Sequence, residues 1–319
     1  MPMPLDPGAQ RVLDLIRELG RPPFHTLTPA EAREANVRSR PVLQPEPPQV
    51  AEVEDLTCPG PAGPIRLRRY RGIGTDPKEA LPCLFFMHGG GWVIGDLDSH
   101  DQLCRALANY AGCCVIAVDY RLAPEHPFPA AVDDSAAGLR FVAANAQALR
   151  IDGSRIAVGG DSAGGNLAAV LAIMGRDGDG PAPCFQLLLY PATDMAGVRP
   201  AHQRFTEGYV LTDQTMRWFI NHYIKLDAHR LDWRASPLRA TTLAGVAPAF
   251  VMTCGHDPLV DEGMAYARRL EEEGVSVSHL HVADQMHAYL TMGKFIPTSD
   301  LTLRQSAAAL RHCWATAAA

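Results

Sequence analysis

A serine flanked by glycines lies between an apolar run and an alanine-rich run of this sequence. Gly160, Ser162 and Gly164 take alternate positions in the segment Gly-Gly-Asp-Ser-Ala-Gly-Gly at 159–165. The apolar residues before it are typical of a buried strand, and the alanines and leucines after it are typical of a helix. A serine on such a strand-to-helix turn projects its hydroxyl away from the sheet, as in a nucleophile elbow. The alternative is a flexible glycine–serine loop without chemistry.

A second glycine cluster, His88-Gly-Gly-Gly-Trp92, follows the apolar run Leu-Phe-Phe-Met. Acyl transfer builds negative charge on a carbonyl oxygen, and backbone N–H groups that face open space stabilise that charge. Glycine presents such groups well because it has no Cβ. The cluster is therefore a candidate oxyanion hole, and the alternative is a glycine-rich turn. Neither glycine cluster completes a dinucleotide or Walker phosphate-binding motif.

A serine nucleophile needs a general base, and that base needs a carboxylate to orient it. In proteins with a nucleophile elbow the chain order is Ser, then Asp or Glu, then His. His287, just after the last apolar run, is the best candidate base. Asp257, at the end of another apolar run, is the best candidate for the orienting carboxylate. The weaker competitors for these two roles are His256, His281, Asp261, Glu262 and Asp284.

The composition is that of an ordinary globular protein. The chain has 319 residues, of which 47% are hydrophobic, and a net charge of -6, so nothing favours nucleic acid or an anionic membrane. No apolar stretch reaches the ~18 residues of a membrane span, and the beginning lacks a signal-peptide pattern. A cytoplasmic protein is therefore predicted. The eight cysteines form no C-x-x-C pair, which predicts buried free thiols, and no motif calls for a metal or a cofactor.

From residue 51 the apolar runs that must position these groups alternate with helical segments. Near-continuous apolar strands are typical of parallel sheets covered on both faces. The predicted class is therefore α/β, with a mostly parallel central sheet of about eight strands and helices on both faces. The predicted strands are 50–56, 65–70, 83–88, 114–119, 155–158, 186–190, 249–253 and 276–281, and the predicted helices are 99–111, 129–147, 163–174, 258–273 and 299–317.

Two regions depart from this alternation and are candidates for a cap. Residues 1–50 predict one helix from Pro7 to about Leu19 and another over 29–38, ending before the prolines of 41–48. Residues 195–245 read as an insertion in the catalytic domain 51–319, with a helix from 212 to about 225. The alternative is that both regions merely cover the sheet.

Large apolar residues near the predicted strand ends and in the insertion are candidates to line a substrate pocket. Pocket lining and core packing look alike in a sequence, so packing of the insertion onto the body explains its aromatic residues equally well. The candidates are Trp92, Tyr190, Phe205, Tyr209, Leu211 and Trp218.

These motifs together resemble those of the bacterial hormone-sensitive-lipase-like carboxylesterases, over about residues 80–290. The matching segments are His88-Gly-Gly-Gly-Trp92, Asp119-Tyr-Arg-Leu-Ala-Pro-Glu-His-Pro-Phe-Pro-Ala-Ala131, Gly160-Asp-Ser-Ala-Gly164, Asp257-Pro-Leu-Val-Asp-Glu-Gly263 and His287. The resemblance implies an α/β-hydrolase fold whose helical cap comes from the amino-terminal segment and the insertion. It implies the triad Ser162, Asp257 and His287, oxyanion donors at Gly90, Gly91 and Ala163, and support from His88, Gly89, Gly160, Asp161 and Gly164, with a lesser supporting role for Asp119 and Glu125.

The predicted function is hydrolysis of short- to medium-chain carboxylic esters through an acyl-enzyme. The expected partner is a small-molecule ester, without cofactor or metal, and the sequence leaves room for a homodimer. One alternative keeps the triad and makes the protein an amidase, thioesterase or arylformamidase. A second is a non-catalytic small-ligand receptor, since plant gibberellin receptors resemble this family but lack its histidine; His287 favours the enzyme.

Overall fold

One eight-stranded sheet organises the fold of the computed structural model, which describes residues 3–316. Its strands are β1 (Glu52–Gly60), β2 (Gly63–Arg71), β3 (Leu81–Met87), β4 (Cys114–Asp119), β5 (Ile151–Asp161), β6 (Phe185–Leu189), β7 (Ala249–His256) and β8 (Val277–Met286). They lie in the order β1-β2-β4-β3-β5-β6-β7-β8. Only β2 runs antiparallel to its neighbours; the other pairs are parallel. The predicted fold class is confirmed, and each predicted strand is present.

Helices cover both faces of the sheet. Side chains alternate between the two faces along each strand, so strands that are apolar throughout need cover on both sides. On β3, Phe85 packs into one core and Phe86 into the other. The first core takes residues of α4, α5 and α8, and the second those of α1, α3 and α9. The helices of the described residues are α1 (Pro7–Glu18), α2 (Pro29–Leu43), α3 (Asp101–Ala111), α4 (Ala130–Ala144), α5 (Ala163–Arg176), α6 (Pro200–Arg204), α7 (Asp213–Tyr223), α8 (Val260–Glu272) and α9 (Thr298–Thr316). Residue 317, the predicted end of α9, lies outside the described residues.

Helix α2 begins as predicted but ends later. Thr28 and Glu31 form a capping box at its first turn. The prediction that it ends near residue 38 is wrong, because the helix continues through Pro41 to Leu43. A proline near a helix end removes one backbone hydrogen bond, and its ring already holds φ in the helical range. Burial of Leu43 and an ion pair between Arg40 and Asp96 (2.7 Å) accompany this extension.

The two candidate cap regions meet each other. Helix α7 begins at Asp213, next to the predicted start at 212, and Thr212 caps it by accepting the N–H of Thr215. The rings of Phe24 and Phe219 pack with centroids 6.1 Å apart. The Nδ1 atom of His25 lies 3.1 Å from the Thr215 hydroxyl. The amino-terminal segment and the insertion therefore form one continuous layer.

The turn after β5 packs against the end of β3 at a distance that only glycine permits. A Cβ on Gly160 would lie 2.3 Å from the carbonyl oxygen of Met87, and one on Gly164 would lie 1.9 Å from it. Both distances are far below van der Waals contact. The two glycines therefore let β3, β5 and α5 converge beside Ser162, the candidate nucleophile.

We expect Gly164→Ala to lower the melting temperature by several degrees, because a methyl group forced into packed backbone costs about 1–3 kcal/mol. Thermal unfolding followed by circular dichroism measures the change. Gly293→Ala is the matched control, since its Cβ would meet no atom closer than 3.4 Å. Equal melting temperatures for the two variants would contradict the packing argument.

Candidate active site

A chain of hydrogen bonds joins one serine, one histidine and one aspartate. The Nε2 atom of His287 lies 2.9 Å from the Ser162 hydroxyl, and its Nδ1 atom lies 2.6 Å from Oδ2 of Asp257. Oδ1 of Asp257 accepts the N–H of Leu259 at 2.8 Å. Asp257 is fully buried, so its carboxylate holds the imidazole in a fixed orientation away from water.

The sheet brings these groups together from distant parts of the chain. Ser162 follows β5, Asp257 follows β7 and His287 follows β8. These strands are parallel, so their carboxyl ends meet at one edge, where open α/β sheets bind ligands. The structure thus places the three best sequence candidates in direct contact.

The weaker candidates for the base and the orienting carboxylate contact other groups. The ring of His256 contacts the Met3 carbonyl oxygen and the Tyr209 hydroxyl, and His281 contacts Thr253. Asp284 accepts the N–H of Asp6 through its backbone oxygen. Asp261 accepts the Ala201 N–H within the insertion, and Glu262 accepts the Thr193 N–H just before it.

The turn that carries Ser162 is strained. Ser162 has φ 55° and ψ -116°, a conformation that residues with a side chain rarely adopt. Its N–H donates to the Leu189 carbonyl at 2.8 Å, and its carbonyl accepts N–H groups from Asn166 and Ala192. These bonds hold the serine in place, and the strain aims its hydroxyl at His287.

The candidate oxyanion donors line the same opening. Gly90, Gly91 and Ala163 lie beside Ser162 on the cavity wall. Gly90 and Gly91 have φ values of 117° and 57°, which favour glycine. Within residues 3–316 no backbone acceptor pairs with the N–H of either glycine. Ala163 is the first residue of α5, where N–H groups also lack an intrahelical acceptor.

Asp161 ties the glycine segment to the serine turn. Its Oδ1 accepts the Gly89 N–H at 2.8 Å and lies 3.0 Å from Nε2 of His100. Burial raises the pKa of Asp161, but the facing His100 ring and the Gly89 N–H outweigh burial and hold that pKa below its ordinary value. His100 carries no local sequence signal for this role, because its partner Asp161 lies at the end of another strand.

A second layer supports the glycine segment from behind. The ring of His88 stacks on Tyr120 with centroids 4.3 Å apart, and the Tyr120 hydroxyl donates to the His88 carbonyl at 2.7 Å. Burial lowers the pKa of His88 to about 4, so the ring is neutral at pH 7. Arg33 of α2 donates to the Val93 carbonyl and pairs with Glu125 at 2.6 Å. The supporting layer therefore includes the amino-terminal segment.

A cavity of about 1010 Å³ opens over Ser162. Three of the six pocket candidates, Trp92, Tyr209 and Leu211, line it. The other three do not, and for them the prediction is wrong. Tyr190 packs behind His287 with ring centroids 4.8 Å apart, and Phe205 packs on Tyr209.

Trp218 lies outside the lining because the next residue of α7 takes its place. Consecutive helical residues point about 100° apart, so Phe219 faces the cavity and Trp218 does not. Sequence alone does not set this rotation. Further apolar lining residues are Leu13, Ile16, Phe24, Leu43, Met216 and Ile220.

Other expectations concern thiols, metals and membranes. All eight cysteines are free thiols, and six of them are buried. Among the described residues no group of three or more His, Cys, Asp or Glu side chains could hold a metal ion. No helix within 3–316 combines the length and apolar character needed to cross a membrane.

A serine on a strained strand-to-helix turn, at the edge of a mostly parallel sheet, defines a protein of the α/β hydrolase class. Residues 84–291 match the pattern of the α/β hydrolase fold family, and the chain belongs to it. The resemblance to bacterial hormone-sensitive-lipase-like carboxylesterases is thereby confirmed.

Several named relatives and solved structures are similar to this chain over most of its length. An ethyl acetate hydrolase of Pseudomonas putida is 41% identical over 307 residues, covering 93% of this chain and 96% of its own. A carboxylic ester hydrolase of Mycobacterium tuberculosis is 42% identical, covering 90% of this chain and 77% of its own. Among solved structures, an α/β hydrolase from the metagenome of Lake Arreo has a TM-score of 0.94 at 42% identity, covering 98% and 99% of the two chains. A thermostable esterase of Pseudomonas putida has 0.92 at 33% identity, covering 97% of each.

We expect Asp161→Asn to lower kcat by about 10- to 100-fold, since a shift of roughly 1 Å in a site costs that much. The amide removes the charge that faces His100 and loosens the Gly89 contact. Steady-state kinetics on p-nitrophenyl butyrate measure the loss. Asp152→Asn is the control, because Asp152 pairs with Ser154 and Arg155 at the far end of β5. An unchanged kcat would show that the charge of Asp161 does not position the glycine segment.

Proposed function

We propose that this protein hydrolyses small-molecule carboxylic esters through a covalent acyl-enzyme. The observation that carries the proposal is the unbroken hydrogen-bond chain from Asp257 through His287 to Ser162, at the floor of an apolar cavity. This arrangement is the one by which a serine becomes a nucleophile.

In the first half of the reaction, Ser162 Oγ attacks the ester carbonyl carbon and His287 Nε2 takes the hydroxyl proton. Asp257 stabilises the imidazolium that forms and does not itself become protonated. When the tetrahedral intermediate collapses, the bond to the alcohol oxygen breaks, and His287 gives its proton to that oxygen. The alcohol leaves and the acyl group remains on Ser162.

Water completes the cycle. His287 removes a proton from a water molecule, whose oxygen attacks the acyl carbon, and the serine leaves with the proton that His287 returns. In both halves the negative charge develops on the carbonyl oxygen. The N–H groups of Gly90, Gly91 and Ala163 are the proposed donors to that oxygen, since these residues line the cavity beside Ser162.

The relatives support esters as the substrate class. Two relatives that are 41% and 42% identical to this chain are called an ethyl acetate hydrolase and a carboxylic ester hydrolase. A triad of this kind also cleaves amides and thioesters, so turnover of matched ester, thioester and amide substrates decides among them. The cytoplasmic location and the homodimer stay predictions.

We expect Ser162→Ala to lower kcat by at least about 10⁴-fold, because only oxyanion and binding effects then remain. Steady-state hydrolysis of p-nitrophenyl butyrate measures the loss, and circular dichroism checks the fold. A fluorophosphonate should label Ser162 in the wild-type protein. Activity within tenfold of wild type, or labelling of another serine, would refute the assignment.

Two further variants test whether the three residues act as a unit. Asp257→Asn and His287→Ala should each lower kcat by about 10³-fold or more, and the double variant should be hardly worse than either. Asp284→Asn is the matched control, since only its backbone contacts Asp6. Additive losses would place Asp257 or His287 outside the triad.

We expect the rate to depend on acyl length, because each buried CH₂ contributes about 0.8 kcal/mol until the chain meets the cavity wall. The family resemblance suggests an optimum of about four to eight carbons, beyond which overpacking opposes burial. A series of p-nitrophenyl esters measures kcat/KM against chain length.

Met216→Ala should move this optimum to longer chains, because Met216 lines the cavity. Met264→Ala, an exposed methionine on α8, should leave the profile unchanged. Highest activity on long-chain triglycerides would contradict the proposed size limit.

A further inference from the structure

Glu262 is a buried carboxyl group that the proposed reaction does not use. It lies on α8, the helix that begins three residues after Asp257, and is only 1% exposed. Its Oε1 accepts the N–H groups of Thr193 and Asp194, at 2.7 and 3.2 Å. The Thr193 hydroxyl donates to the Glu262 carbonyl at 3.0 Å. These bonds fix the chain just before the insertion begins.

The second carboxyl oxygen faces the insertion itself. Oε2 of Glu262 lies 3.9 Å from Nε2 of His202 on α6, and both atoms are buried without a hydrogen-bond partner among the described residues. The Arg199 N–H donates to His202 Nδ1 at 3.3 Å. The neutral imidazole therefore carries its proton on Nε2, on the side of Glu262.

The neighbouring carboxylate reinforces the same junction. Oδ2 of Asp261 accepts the Ala201 N–H at 2.7 Å, and Oδ1 lies 3.3 Å from the guanidinium of Arg204. Two consecutive side chains of α8 thus bind the chain on both sides of the point where the insertion begins, Glu262 before it and Asp261 within it. Glu262 also lines the cavity, together with Asp194 and Met195.

We propose that Glu262 is a positioning residue whose side chain fixes the base of the insertion to the helix behind Asp257 and so sets the cavity wall beside Ser162. This inference rests on the proposed function, because the wall matters only if a substrate is held there. Its contact with the chemistry is indirect, through Thr193, Asp194 and the insertion.

The charge of Glu262 is tied to this role. Burial raises the pKa of Glu262 to about 8, although the N–H groups of Thr193 and Asp194 oppose the rise. The side chain is therefore mostly a neutral acid at pH 7. The charged groups around it are themselves paired: Asp194 with Arg199 and Arg239, Asp261 with Arg204, and Asp213, 4.0 Å from His202, with Arg217.

The sign of the pH effect follows from the direction of this shift. In the unfolded chain a glutamate loses its proton near its ordinary pKa, whereas the folded protein keeps the proton to about pH 8. The folded state thus binds more protons between these values, and its stability falls as pH rises through that window. A glutamine at 262 cannot ionise and removes this loss.

The test compares Glu262→Gln, Glu262→Ala and the control Glu272→Gln, an exposed glutamate on the same helix. Melting temperatures are measured from pH 5 to 9, and KM and kcat on p-nitrophenyl butyrate at each pH. We expect the melting temperature of Glu262→Gln, relative to wild type, to rise by several degrees between pH 5 and 8. Glu272→Gln should follow wild type throughout.

The kinetic arm separates positioning from space filling. Glu262→Ala should raise KM several-fold with a smaller change in kcat. At pH 7 the KM of Glu262→Gln should stay close to that of wild type. Above pH 8 the wild-type KM should rise while that of Glu262→Gln stays level. A constant melting-temperature difference, or equal KM for the two variants, would overturn the inference. Loss of esterase activity in every assay would refute the proposed function and leave the melting-temperature arm intact.

Discussion

The close approach of two backbone segments sets the relative positions of the groups in the candidate site. The end of β3 and the turn after β5 touch at Met87, Gly160 and Gly164, where no side chain fits. The approach brings the glycine segment within hydrogen-bond reach of Asp161, and Asp161 in turn faces His100. A single buried carboxylate therefore couples the serine turn to the groups that would hold the developing oxyanion. Without that contact the two halves of the site would be set independently, by loops of different length.

Buried carboxyl groups also couple two parts of the molecule in the segment from Asp257 to Glu262. The stretch from Asp257 to Glu262 orients the imidazole at one end and, at the other, binds the residues that lead into the insertion. The residue that orients His287 and the residue that holds the cavity wall thus lie only five positions apart in the chain. Burying acids in this way is costly unless each oxygen has a partner or a proton. Asp257 has partners for both oxygens, whereas Glu262 leaves one oxygen unpaired and keeps its proton.

The sequence predicts the sheet and the three candidate catalytic residues, which the structure brings into contact, because the signals for them are local. Apolar runs mark the strands, and each candidate catalytic residue directly follows one of them. Three features are not predicted by local sequence patterns. The burial of Glu262 depends on the insertion folding over it, and the choice of Phe219 over Trp218 depends on the rotation of α7. The extension of α2 through Pro41 depends on burial of Leu43 and on a distant partner for Arg40. Each is decided by tertiary packing, which overrides local propensity.

The first helix has a consequence for how the protein is handled. The side chain of Asp6 caps α1, and its N–H donates to the carbonyl of Asp284, three residues before His287. A Cβ on Gly8 would lie 2.2 Å from the Phe295 carbonyl oxygen. Segments usually tolerate fusions where they lie free of the body. Asp6 instead braces the end of β8, just before His287, so affinity tags or surface tethers joined close to Asp6 would strain that strand end. A long flexible spacer ahead of α1 avoids the problem.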